Sequence, residues 1–261
     1  MRLIARLLSR GTQPASQPTT ERDAPATRGY AVCGAPRSGS NYFCEVLSST
    51  GVLGHPREYF NGAVRRQRDD PTYPDDPQAQ IGRILTMGAT PNGVYALKLF
   101  PGLFDTVAPH LKLTEALPNL TFVRLRRDDV LGQAISWVRS IQSRQFRSTE
   151  AAQGEIRYDA ETIRLYVGQV CQRNARWDMF FARTGIAPLT ITYEDLASDP
   201  QQAVGRVADA LGISPRPRIA SERVHLRVQR DNESRAWRER FIAECGDRNY
   251  IDSADLLART L

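Results

Sequence analysis

The chain is short of the side chains that build metal sites and disulfide frameworks. Its three histidines have no metal-ligand spacing, and its four cysteines (Cys33, Cys44, Cys171 and Cys245) include no CxxC pair. A metal centre assembled from them is not expected. Cys33 and Cys44 lie in apolar contexts and read as small core residues. A reducing cytoplasm is the expected setting. No apolar run approaches the roughly 18 residues of a membrane span. Stretches of lysine and arginine interleaved with aromatics are missing too, which argues against a nucleic-acid interface. The net charge of +6, from 35 basic and 29 acidic residues, is a modest excess. It fits either a solvated basic surface or an anionic ligand held by arginine forks.

The chain is long enough for one large α/β domain, spanning 29–261. Residues 1–28 differ from it. MRLIARLLSR is short, basic and amphipathic, and the following stretch is rich in Pro, Thr, Ser and Ala. It reads as a disordered tail, with weak membrane-surface contact as the alternative. Apolar runs at Tyr30–Gly34, Val94–Leu99, Thr121–Leu125 and Ala187–Thr192 read as strands. Helical spacing places Tyr42, Phe43, Val46 and Leu47 on one helix, and Val130, Ala134, Ile135 and Val138 on another. Asp159 caps a long helix, and Asp199-Pro200 starts a further one that ends at Gly212. Segments 61–78 and 144–158 read as loops beside the site, and a helix is expected near Ser234–Glu244. This alternation predicts a central, mostly parallel sheet flanked by helices.

The most informative stretch is Gly34-Ala35-Pro36-Arg37-Ser38-Gly39-Ser40-Asn41, between the first strand and first helix. In that context backbone N–H groups at a helix start face an anion. The nucleotide-triphosphatase pattern is GxxxxGK[ST]. Here Ser40 replaces the lysine and Asn41 the magnesium-binding hydroxyl, while a basic group stands earlier, at Arg37. A kinase would lose two working parts by that change. A sulfuryl donor needs less charge neutralised and no obligatory metal, so it suits the pattern better. A plain Gly/Ser turn capping a helix would carry the same letters.

Arg126 and Arg127 follow the third strand, and Ser136 lies on the next helix. An arginine at a strand end and a serine two turns into the helix can converge on one phosphate at this edge of an open sheet. The same arginines could instead pair with Asp128 or Asp129 on the surface. In His55-Pro56-Arg57-Glu58-Tyr59-Phe60, either Glu58 or His55 can serve as a general base. Trp137, Gln142 and Phe146 are candidates for lining an acceptor pocket, and Trp137 also reads as core.

Taken in order, these segments resemble the bacterial trehalose 2-sulfotransferase family, a branch of the P-loop-like sulfotransferase fold. The segments are APRSGSNY, GVLGHPREYF, VYALKLF, RRDDVLGQAISWVRSIQS, the block from YDAETIRLY to TYEDLASDP, and RVQRDNESRAWRERF. The resemblance runs from about Tyr30 to about Phe241. It implies 3′-phosphoadenosine 5′-phosphosulfate as donor, no metal, and a sugar or glycolipid acceptor. It puts the 5′-phosphosulfate on Arg37, Ser38, Gly39, Ser40 and Asn41, and the 3′-phosphate on Arg127 and Ser136. Arg126 is the alternative if the register differs by one. It favours Glu58 as base and places Gln229 and Arg230 in the segment covering the nucleotide. Asn41 departs from the family's usual threonine. Members of the family can form homodimers. Rival readings are a degenerate P-loop nucleotide kinase and a non-catalytic protein binding anionic ligands or glycans.

Overall fold

A computed structural model describes residues 25–226, 232–249 and 251–252. Four strands form one sheet: β1 (Arg28–Cys33), β2 (Val94–Leu99), β3 (Leu120–Arg126) and β4 (Leu189–Thr192). Their order is β2-β1-β3-β4 and every pairing is parallel. Cys33 sits opposite Leu99 on one side and Arg124 on the other. The strands therefore end together, and the turns leaving them share one edge.

Helices cover both faces, as all-parallel sheets require. Side chains alternate along a strand, so each strand feeds two cores. Tyr30 and Val32 face α1 (Ser40–Ser49) and α9 (Pro200–Ala210), packing with Phe43, Leu47, Val204 and Val207. Ala31 and Cys33 face the opposite side, where Trp177 and Phe181 of α7 (Ala160–Thr184) lie with Tyr59 and Ile84. Both expected core cysteines, Cys33 and Cys44, are buried.

Helix ends follow the local chemistry. Asp159 accepts from the Glu161 and Thr162 amides at the start of α7. Asp199 accepts from Gln202 N, and Pro200 occupies the first turn of α9. Gly212, with φ 64°, lets the chain leave that helix. Five more helices connect these parts: α3 (Pro77–Met87), α4 (Pro101–Val107), α5 (Leu113–Ala116), α6 (Val130–Ser143) and α8 (Tyr193–Ser198). The C-terminal helix α10 (Asn232–Cys245) starts two residues before the expected one and lays Trp237 against α6 and α7.

Segment 61–78 differs from expectation. It holds the short helix α2 (Gly62–Arg68), and α3 begins inside its far end. Asn61 explains the difference, because its side chain accepts from Val64 N and closes the helix start. Arg65 is then buried against Asp69 one turn on. Segment 144–158 does lack helix and strand. The expected N-terminal tail lies outside the described residues up to position 24, and Gln229 and Arg230 lie outside them as well. Thr27 is already tied to the fold, its amide donating to Gly93 O at 3.1 Å. Among the described residues no helix is long and apolar enough to cross a membrane.

Candidate active site

The turns leaving β1, β2 and β3 open onto one cleft of about 910 Å³. Its centre is the turn from β1 into α1. Gly39 precedes the helix at φ 82°, and no side chain closes the helix start. The first-turn amides of α1 therefore face the cleft without an internal acceptor from a cap. Gly39 is required twice over. Its φ is left-handed, and a Cβ there would stand 2.5 Å from the Tyr193 ring. Two buried side chains hold the turn from beneath: Trp177 Nε1 donates to Gly34 O at 2.9 Å and Gln133 Nε2 to Pro36 O at 2.7 Å.

Arg37, Gly39, Ser40 and Asn41 line the cleft. Arg37 also has a left-handed backbone, at φ 63°, unusual for a side chain with a Cβ. Its Nε donates to Ser136 Oγ at 3.1 Å and its Nη1 to Phe146 O at 2.8 Å. Burial, and then the charge of Arg127 beside it, lower its pKa from the ordinary arginine range. An arginine so placed remains a cation at neutral pH. Ser38 is the exception in this loop. Its side chain is fully buried, away from the cleft lining, and its hydroxyl has no hydrogen-bond partner.

On the β3 flank the two arginines part company. Arg126, the last residue of β3, is half exposed and pairs with Asp128 at 3.3 Å, outside the cleft. Arg127 turns inward, over the Tyr193 ring at 4.6 Å, with Asp129 3.4 Å from its Nη2 and its Nε buried without a partner. Ser136 lines the cleft beside it. Surface pairing thus accounts for Arg126 but only partly for Arg127.

On the β2 flank, Glu58 lines the cleft and His55 does not. The strand places this segment, because Lys98 N donates to Arg57 O at 2.8 Å. The Lys98 side chain then turns into the cleft. Its Nζ lies 2.8 Å from Glu58 Oε1 and donates to Asn41 Oδ1 at 2.6 Å. Lys98 is only 6% exposed, so its charge needs these partners. Burial alone would raise the Glu58 pKa. Hydrogen bonds and charge from Lys98, with Asn61 and Arg65, outweigh it and hold the carboxyl below its ordinary 4.5. Glu58 is therefore an anion at neutral pH.

Sequence reading did not single out Lys98 or Tyr193. The available signal for Lys98 was a lone lysine inside an otherwise apolar buried strand, a position that demands an anionic or carbonyl partner. Of the expected pocket residues, Phe146 lines the cleft and is 48% exposed. Trp137 instead meets Tyr166 edge to face and Arg173 over its ring. Gln142 bonds both ways with the Arg157 backbone, pinning segment 144–158. Among the described residues, no group of three or more His, Cys, Asp or Glu side chains could hold a metal ion.

An uncapped helix start, a buried lysine and an ionised carboxylate thus meet on one cleft. The family model that matches this chain is that of the Stf0 sulphotransferases, over residues 29–244. The chain belongs to that family. It is a sulfotransferase, an enzyme that transfers a sulfuryl group, built on a parallel sheet flanked by helices. It is similar to trehalose 2-sulfotransferase of Mycobacterium tuberculosis (strain ATCC 35801 / TMC 107 / Erdman), with 29% identity over 84% of this chain and 96% of that one. The enzyme of the same name from Mycolicibacterium smegmatis (strain ATCC 700084 / mc(2)155) is also 29% identical, over 81% and 93%. Among solved structures, a sulfotransferase domain from the curacin biosynthetic pathway matches with a TM-score of 0.45 and 15% identity, covering 85% of this chain and 99% of that one.

Proposed function

We propose that this sulfotransferase takes the sulfuryl group from 3′-phosphoadenosine 5′-phosphosulfate and passes it to a hydroxyl of a sugar-like acceptor. The sugar is suggested by the relatives, whose name gives trehalose. The observation that carries the reading is the bridge Asn41–Lys98–Glu58. An ammonium joins the open helix start to a carboxylate across one cleft. In nucleotide triphosphatases the position of Asn41 carries a hydroxyl for magnesium. Here that side chain's oxygen is taken by Lys98, so the position serves an ammonium.

In the proposed reaction, the donor's sulfate end lies at the α1 start, over Ser40 and beside Arg37. The acceptor hydroxyl, hydrogen-bonded to Glu58, attacks sulfur. One S–O bond forms to the acceptor oxygen, and the bond from sulfur to the bridging oxygen of the 5′-phosphate breaks. The acceptor proton passes to Glu58, and the negative charge left on the 5′-phosphate meets the α1 amides and Arg37. A carboxylate of low pKa accepts the proton late, once the acceptor oxygen has begun to bond to sulfur. Arg127 and Ser136 hold the 3′-phosphate on the β3 flank. The buried, unpartnered Nε of Arg127 supports that role, since such a donor wants an acceptor.

The test uses labelled donor, the full chain and added chelator, with product read as label on the acceptor. Glu58→Gln is expected to lower kcat by about a hundredfold or more, while calorimetry shows 3′-phosphoadenosine 5′-phosphate bound as before. Full activity in that variant would remove Glu58 as base.

A further inference from the structure

The cleft has more positive charge than a donor alone explains, and the surplus is on the flank away from the 3′-phosphate. Arg127 and Ser136 stand off β3, and the open α1 start stands off the central strand β1. On the other side, past Glu58 and past Lys98 of β2, the cleft wall carries Arg57, Arg65, Arg68 and Arg147 among the smaller side chains of Asn61, Val64, Ser148 and Thr149. Among the described residues, two carboxylates form ion pairs with these four guanidinium groups, and Glu58 feels the charge of Arg65 from further off. Asp69 takes Arg57 and Arg65. Glu150 takes Arg68 at 3.3 Å, and its other oxygen is already bonded to the Phe146 and Arg147 amides. Arg147 has no ion pair among the described residues, and the Nε of Arg65, a residue only 4% exposed, is buried without a partner. The four groups also crowd one another: burial, then the charge of Arg68, lower the pKa of Arg147; Glu150 opposes this, and the smaller effects of Arg65 and Arg57 add to the lowering.

Like charges gathered in a partly enclosed cleft cost energy unless an anion joins them. A neutral sugar needs mixed donors and acceptors, and guanidinium offers donors alone. We propose, resting on the donor and base assigned above, that the acceptor carries a compact oxyanion, a phosphate monoester or a carboxylate, seated on Arg147, Arg68 and Arg65. The exposed ring of Phe146 beside them gives the sugar an apolar surface to lie on. The acceptor hydroxyl then reaches Glu58 with its anionic group fixed at the far end of the cleft. Such an acceptor is the product of a phosphorylating or oxidising reaction on the sugar.

The test measures binding to the full chain saturated with 3′-phosphoadenosine 5′-phosphate, so that the donor site is filled. The probes are trehalose, trehalose 6-phosphate, glucuronate and inorganic phosphate. Trehalose 6-phosphate is expected to bind at least about tenfold tighter than trehalose, as one charge-assisted contact provides. Arg147→Gln and, separately, Arg68→Gln should bring the two sugars together while leaving nucleotide affinity unchanged. Glucuronate binding above inorganic phosphate would give the carboxylate form, and the reverse gives the phosphate form. Equal affinity for the two trehaloses overturns the proposal. So does binding of none of the probes, or a loss in Arg147→Gln that falls on the nucleotide, which would return these arginines to the donor. Failure of the nucleotide itself to bind is a different result, and it strikes the donor assignment.

Discussion

Two helices leave the same edge of the sheet and begin in opposite ways. The start of α1 follows β1 with a left-handed glycine and no side-chain cap. The start of α6 follows β3 and is closed by the protein's own carboxylates. Asp129 accepts from Gly132 N at 3.0 Å, and Glu194 accepts from the Asp128 and Asp129 amides at 3.1 and 3.3 Å. Both ends carry the same partial positive charge. At α6 that charge is spent on folding, whereas at α1 it stays available to a ligand. The β3 flank can therefore offer an anion only side chains, Arg127 and Ser136, while the β1 turn offers backbone. This division matches a donor with two unlike anionic groups, one that reacts and one that is merely held.

Making the open end resemble the closed one breaks the comparison most severely. Ser40→Asp places a carboxylate at the open start of α1, much as Asp129 in the cap position and Glu194 from α8 stand at the start of α6. Affinity for 3′-phosphoadenosine 5′-phosphate should fall by about a hundredfold or more, since a like charge replaces donors in a partly buried site. Calorimetry reads this directly. Unchanged affinity would mean that the α1 start does not meet the nucleotide.

The side-chain half of the division is tested by Arg127→Ala. Loss of one hydrogen bond to a charged group is worth about 1.5–3 kcal/mol, or roughly tenfold to a hundredfold. That loss should appear with 3′-phosphoadenosine 5′-phosphate and be nearly absent with ADP, which has no 3′-phosphate. Equal losses for the two nucleotides would take Arg127 away from the 3′ group.

The contrast between the two turns was only half legible in the sequence. Gly34 and Gly39 marked the β1 turn, and Asp159 and Asp199 gave their helix starts by type and position. Strand alternation also contained the answer for the arginine pair. Arg124 faces α7, bonding Asn174 and Asp178, and Arg126 shares its parity, so both lie on the side away from α1. Arg127 has the other parity and reaches the cleft. Lys98 stayed hidden because its partners, Glu58 and Asn41, are 40 and 57 residues away in sequence, and only the sheet order brings them together. Helix α2 was obscured by polar neighbours, since Arg65, the residue that buries it, reads locally as solvent-facing. The closure of α6 by Glu194 depends on β4 lying beside β3, which no local pattern states.

The smallest effect concerns that closed end. Asp129 both caps α6 and meets Arg127 and Arg238. Burial alone would raise its pKa, but the Arg238 bond, the Gly132 amide and the Arg127 charge outweigh that and leave it lowered. A carboxyl lowered on folding stabilises the protein above its unfolded value, about 3.9, and the benefit fades as pH falls through the folded value. Asp129→Ala, which removes cap and charge together, should cost about 1 kcal/mol at neutral pH. Asp129→Asn keeps a competent cap, so its cost should be smaller and confined to the charge. Denaturation curves at pH 7 and in acid separate the two contributions. The deficit of the Asn variant should close as the wild-type carboxyl becomes protonated, and that of the Ala variant should persist in part. If neither deficit changes with pH, the charge of Asp129 adds nothing to the fold, and the α6 start is closed by hydrogen-bond geometry alone.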